Sequence, residues 1–177
     1  DAETGEPWVD YGDGRWLNPF KEEVWEAIAD YALELAEMGF DEIQFDYVRF
    51  PSDGDLSTMD FGRDVDEPAR IEALAGFLGY CRERLAPYEV RTGADVFGYT
   101  YLLDDIGIGQ DAASIAQFVD VVCPMVYPSH YPDGSMDVDG HPNDFPYETI
   151  VQTLDVGASR VAPTQTRPWI QDFSLPG

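Results

Sequence analysis

The sequence predicts an α/β fold, an incomplete barrel of the (β/α)8 TIM-barrel type with about four or five parallel strands, on three observations. Helical periodicities and short strand patterns alternate along the chain, which implies parallel strands joined by crossover helices. The long polar loops follow strands, while the connections before strands are short; folds that work at the strand C-termini show this asymmetry. No Gly-rich phosphate loop follows the first strand, which argues against an open doubly wound sheet. The chain has 177 residues, and a complete barrel needs roughly 200 or more. Residues 1–177 are therefore expected to form a single domain cut from a longer protein.

Each element has a local reason. Asn18 and Pro19 read as N-cap and first helical residue, with Glu22 and Glu23 in the first turn. Val24, Ile28, Tyr31 and Leu35 then form one stripe, and Gly39 stops the helix. A strand over 42–48 follows, and residues 52–67 form a Gly/Asp/Ser-rich loop. Pro68 opens a second helix through Ile71, Leu74, Leu78, Cys81 and Leu85, and Pro87 ends it. A strand is expected over 89–96, a short helix over 111–118 and a strand over 120–127. The polar loop 128–145 comes next, and Pro146 starts a helix through Ile150 and Leu154. A last strand is placed over 160–166.

Composition narrows the partners. The formal charge is −25, from 35 acidic and 10 basic residues, and Lys21 is the only Lys. Such a surface repels nucleic acid and anionic membranes and carries no basic patch to override that. No segment is long and apolar enough for membrane insertion. A neutral polysaccharide or oligosaccharide remains an acceptable partner, and the 14% aromatic content supplies rings that stack on sugars as well as filling a core. Cys81 falls on a helix stripe and Cys123 in a strand, and both read as buried thiols.

The chemistry concentrates at strand ends. In the strand over 42–48, Gln44 and Asp46 share one face, and Asp46 reaches the C-terminal end, where α/β barrels place their reacting groups. Capping the next loop and pairing with Arg49 are two other uses of the same carboxylate. Asp95 occupies the equivalent place on the next strand, two residues after Gly93. Adjacent strands bring two such carboxylates within range for paired acid/base work. Met125 and Tyr127 share a face on the third strand, and Tyr127 reaches the mouth. Gln165 lies at the end of the last expected strand and His130, Trp169 and Gln171 in the segments beyond the strands, where they contact a sugar or pack the barrel end. His130 and His141 lack zinc spacing. The stretch Ser135–Gly140 begins like a calcium loop, but Pro146 stands where the bidentate Glu belongs, so an EF-hand is rejected. No metal and no cofactor is expected.

Four ordered segments resemble a known family. They are Trp16-Leu-Asn-Pro19, Gly39-Phe-Asp-Glu-Ile-Gln-Phe-Asp-Tyr-Val-Arg-Phe-Pro51, Pro124-Met-Val-Tyr-Pro-Ser-His-Tyr131 and Arg167-Pro-Trp-Ile-Gln-Asp-Phe173. Together they are similar to the glycoside hydrolase-like family of uncharacterised TIM-barrel domains. The resemblance implies a (β/α)8 barrel related to carbohydrate-cleaving enzymes, often extracytoplasmic or secreted, of which residues 1–177 are a fragment lacking N-terminal strands and the last strand. With the strand-end positions above, Asp46 and Asp95 are the candidate catalytic pair, and Arg49, Tyr127, His130, Gln165, Trp169 and Gln171 the candidate sugar contacts. A non-catalytic carbohydrate-binding barrel and a cell-envelope scaffold are the other readings. The Met-x-Tyr strand also looks like that of chitinase-like barrels, but their Asp-x-x-Asp-x-Asp-x-Glu motif is missing: no Glu follows Asp46 at the strand end.

The Asp-rich, Lys-poor balance fits adaptation to high salt, where self-repulsion is screened. The melting temperature is expected to rise as NaCl goes from 0.1 M to about 1 M, over which the Debye length falls from about 10 to 3 Å; a flat or falling thermal-melt series would contradict that reading.

Overall fold

Among the described residues, 1–174, the computed structural model alternates helices with parallel strands: α1 (Glu22–Glu37), β1 (Glu42–Phe45), α2 (Glu67–Leu85), β2 (Arg91–Phe97), α3 (Ala112–Ile115), β3 (Val121–Val126), α4 (Pro146–Gly157) and β4 (Trp169–Ile170). The strands lie in the order β1-β2-β3-β4, every neighbouring pair parallel, and curl into half a barrel with helices outside. The α/β half-barrel predicted from the sequence is the observed fold.

The two faces of the sheet divide by residue type. Ile43, Phe45, Ala94, Val96 and Val122 turn outward and pack with Ala29 and Ala32 of α1 and with Leu74, Phe77, Leu78 and Cys81 of α2. Burial pushes the Cys81 thiol up to about 12, and both cysteines are free and buried. The other face carries Glu42, Gln44, Asp95, Cys123 and Met125, so the interior of the half-barrel is polar. Registered against Gln44, Gly93 leaves space there: a β-carbon would lie 3.4 Å from the Gln44 Cγ and 3.6 Å from a Glu42 oxygen.

Several boundaries differ from the sequence expectation. α1 starts at Glu22 rather than at Pro19, because Asn18 Oδ1 accepts the Phe20 N–H at 3.0 Å and Pro19 C=O accepts the Trp25 indole at 2.7 Å, which holds 18–20 as a turn. β1 ends at Phe45 rather than 48, since Tyr47 takes a left-handed φ of 56°. That conformation costs a non-glycine residue roughly 1–2 kcal/mol. β2 starts at Arg91 because Glu89 is also left-handed, at φ 53°. The last strand is Trp169–Ile170, not 160–166. Pro163 and Gln165 bound a 3-10 turn, and Thr166 makes a single bridge to Val122. α2 begins as expected, with Asp66 accepting the Ala69 N–H at 2.9 Å and Pro68 in the first turn. α4 begins at Pro146 as expected.

Beyond Phe45 and Phe97 the strand ends need another fastening. Gln110, 1% exposed, supplies it. Its Nε2 donates to Val48 C=O at 3.0 Å and to Asp95 C=O at 3.2 Å, and its Oε1 accepts the Phe97 N–H at 2.8 Å. Gln110 ends a turn built on buried Asp105, whose carboxylate accepts the Gly107 and Gly109 N–H groups and pairs with Arg70. Replacing Gln110 with Leu strips partners from three backbone groups, each costing about 1–3 kcal/mol when left bare. Gln110→Leu is expected to lower stability by at least about 2 kcal/mol in urea unfolding; an unchanged midpoint would show that water replaces the amide.

Candidate active site

A cleft of about 340 Å³ opens at the C-terminal ends of β1, β2 and β3, lined in part by Asp46, Arg49, Phe97, Met125, Tyr127 and His130. A second groove of about 640 Å³ runs along α1 and the free edge of β1, and shares Asp46, Tyr47 and Arg49 with the first. Asp46 is exposed at the meeting point, its Oδ1 accepting the Tyr47 N–H at 2.7 Å.

Asp95 sits differently. It is 6% exposed, on the inner face below the cleft. Its Oδ1 accepts hydrogen bonds from Gln44 Nε2 and, at 2.9 Å, from the Trp169 indole N–H. Gln44 is oriented in turn by Arg167, which donates to Gln44 Oε1 at 2.9 Å and to both oxygens of Glu42. Residues from β1, β2 and β4 thus form one connected layer across the half-barrel. Burial pushes the Asp95 carboxyl above the usual range and outweighs the two N–H donors; the Asp46 charge adds to the rise. Glu42 is held below its ordinary range, chiefly by the Arg167 hydrogen bonds, and Arg167 is raised by the same contact. Tyr127 is raised by burial and by the charges of Asp95 and Asp46, which places it in their shared field.

The pairing of Asp46 or Asp95 with Arg49 does not occur among the described residues. The Arg49 guanidinium donates to Phe50 C=O at 3.1 Å and Ser52 Oγ at 3.2 Å, and lies over the rings of Trp16, Tyr47 and Phe97. The rings desolvate it, which lowers its pKa. His130 lies at the rim, with Nδ1 3.0 Å from Ser129 Oγ and its ring 5.6 Å from that of Tyr127. Trp169 is half exposed over Asp95. Gln165 is elsewhere: its amide donates to Ala116 C=O at 2.6 Å and Val119 C=O at 2.8 Å, holding the turn between α3 and β3 rather than facing the cleft. Gln171 also serves the backbone, accepting from the Ser129 N–H at 3.0 Å and donating to Phe173 C=O at 2.9 Å. Glu42 and Arg167 were not among the expected site residues. The alternation that puts Gln44 inward puts Glu42 inward as well, but nothing in the spacing brings Arg167 across to it. No group of three His, Cys, Asp or Glu side chains among the described residues is placed to hold a metal ion, and none of the described helices is long and apolar enough to cross a membrane.

A curled parallel sheet with its cleft at the strand C-termini defines the class, an α/β barrel. Over residues 1–177 the sequence matches the family described as "Putative glycosyl hydrolase domain", and the chain belongs to that family. Among solved structures it is similar to the spore cortex-lytic enzyme SleL of Bacillus megaterium, at 17% identity and a TM-score of 0.58, over 85% of this chain and 30% of that one. The Group IV chitinase of Ostrinia furnacalis, solved with allosamidin, gives 17% and 0.58 over 90% and 44%. The PgaB glycoside hydrolase domain of Bordetella bronchiseptica gives 16% and 0.57 over 90% and 51%. At these identities the likeness is one of fold, and the chain spans between about a third and a half of those proteins. No curated protein matches the sequence.

The raised Asp95 pKa carries a stability consequence. The folded state holds the Asp95 proton more tightly than the unfolded chain, so stability falls as pH rises from the unfolded value of about 3.9 through the folded one. Asp95→Asn keeps an acceptor oxygen and cannot ionise. It is expected to melt above the native protein at pH 7, with the gap closing as pH drops toward about 4; a gap constant across that range would contradict the shift.

Proposed function

We propose that this domain hydrolyses glycosidic bonds in a polysaccharide, with Asp46 as the carboxylate that meets the sugar and Asp95 as its partner. The observation that carries the reading is the contrast between the two carboxylates at one barrel mouth. Asp46 is exposed in the cleft, whereas Asp95 is buried on the inner face, where loss of solvent pushes its carboxyl above the usual range. Division of acid and base roles by environment is how paired carboxylates cleave glycosides. Family membership supports the reaction class, and the similar chitinase bound to allosamidin supports a glycan as ligand. Arg49, Tyr127 and His130 line the cleft and position the sugar, while Trp169 holds Asp95 in place by donating its indole N–H.

A barrel that binds glycan without turnover is the second reading. It is favoured by the strand end itself, where buried Val48 follows Asp46 and no Glu is present. One pair of measurements separates the two on the full chain, hydrolysis and binding of oligosaccharides side by side. Asp46→Asn is expected to lose turnover by about 10²–10⁴-fold, the usual worth of an acid/base group, while still binding glycan. Undiminished hydrolysis by Asp46→Asn would remove Asp46 from the mechanism, and native binding without hydrolysis would establish the second reading.

A further inference from the structure

Tyr47 combines two features that packing does not explain. The residue is 68% exposed, and its backbone is left-handed at φ 56°. A left-handed non-glycine residue persists only where its surroundings over-determine it, and here they do. The Asp46 carboxylate accepts the Tyr47 N–H, and the Arg49 N–H donates to Tyr47 C=O at 2.9 Å. The Arg49 guanidinium carbon lies 5.1 Å from the Tyr47 ring centroid and 4.6 Å from that of Trp16, and the two rings are 6.2 Å apart and inclined at 56°, forming an angled corner. Trp16 is itself fixed, its indole donating to Asp10 at 3.0 Å. The result is an aromatic ledge, braced by one cation, at the line where the cleft and the β1 groove meet.

We propose that Tyr47 and Trp16 form a stacking platform for a pyranose ring of the bound glycan, next to the sugar that Asp46 meets. The proposal rests on the glycan-directed reading above. Stacking on an aromatic face requires a sugar face made of C–H bonds, which gluco-configured rings present when their hydroxyl groups are equatorial. The −25 charge of the chain disfavours a polyanionic chain. The platform therefore selects neutral, gluco-configured oligosaccharides. Because the Tyr47 N–H is bound by Asp46, the same turn that presents the ring also aims the carboxylate, and a seated sugar is held in register with it.

Calorimetric titration of the full chain with cellohexaose and with the hexasaccharide of N-acetylglucosamine tests this, using oligogalacturonate as the charged comparison. Tyr47→Ala is expected to weaken binding of whichever neutral hexamer the native protein takes by about tenfold, and Tyr47→Phe to retain it. Tyr47→Gly relieves the left-handed backbone, so it should melt no lower than native while binding as poorly as Tyr47→Ala. Native-like binding by both Tyr47→Ala and Tyr47→Gly would overturn the platform while leaving the glycan reading intact. A lower melting temperature for either variant with unchanged affinity would make the ring a packing element. Preference of the native protein for oligogalacturonate would overturn the neutral gluco-configured class, and native protein that binds none of the three would take down the glycan-directed reading with the platform.

Discussion

The carboxamide of Gln110 is the fastening on which the candidate site depends. Parallel pairing between β1 and β2 stops at Phe45 and Ala94, one residue short of both carboxylates. Beyond that point the two chains would be free to part. Gln110 closes them with three hydrogen bonds to backbone, and nothing else among the described residues joins Val48, Asp95 and Phe97 in one contact. Its own position is set by the Asp105 turn, which also brings Ile108 C=O to the Phe50 N–H at 2.8 Å. A fully satisfied buried amide is a rigid device, because each of its groups would be costly to leave unpaired. The site is therefore built on a residue from the loop after β2, not on the strands alone.

Beneath that fastening, the barrel interior is organised by charge. Glu42 and Arg167 pair at the lower level, Gln44 passes the order upward, and Asp95 receives it together with the Trp169 indole. An amide can present either end. Arg167 at the Gln44 oxygen settles which end faces Asp95, so a contact at the base of the half-barrel determines the donor at a carboxylate one layer up. This is the same logic by which outer partners orient a reacting group elsewhere.

Much of this arrangement was legible in the sequence. The alternation of helical and strand periods gave the parallel order, and Pro68, Pro146 and Gly39 marked ends close to where they fall. Asp46, Asp95 and Tyr127 read as strand-end residues, with Arg49 and Trp169 just beyond the strands; the structure brings Asp46, Arg49 and Tyr127 to one cleft and Trp169 onto Asp95. The failures have local physical causes. Asn18 and Pro19 satisfy a helix-start pattern but are captured by Phe20 and Trp25 into a turn. Arg160–Thr166 has strand-like residues, yet Gln165 is held on the carbonyls of the preceding loop, Thr166 makes one bridge to Val122, and the ladder forms only at Trp169. Gln165 and Gln171 read as sugar contacts because amides suit hydroxyl groups; in the structure both amides hydrogen-bond backbone groups. Arg167 was out of reach because its partner lies 125 positions away, a separation no periodicity reports.

Gly98 divides the cleft into unlike halves. A β-carbon there would sit 2.5 Å from Met125 C=O and 2.5 Å from the Tyr131 hydroxyl, so the segment just after β2 touches β3 and the loop beyond it without an intervening side chain. Tyr131 is bonded in turn to Thr153 of α4 at 3.2 Å. That wall is fused to the outer helix layer and has no slack. The opposite wall, from Asp46 to Arg49, stands on an irregular turn outside the strand. For a protein engineer the two are not interchangeable: selectivity is open to redesign along the Tyr47 side, while changes on the Gly98 side propagate into the scaffold.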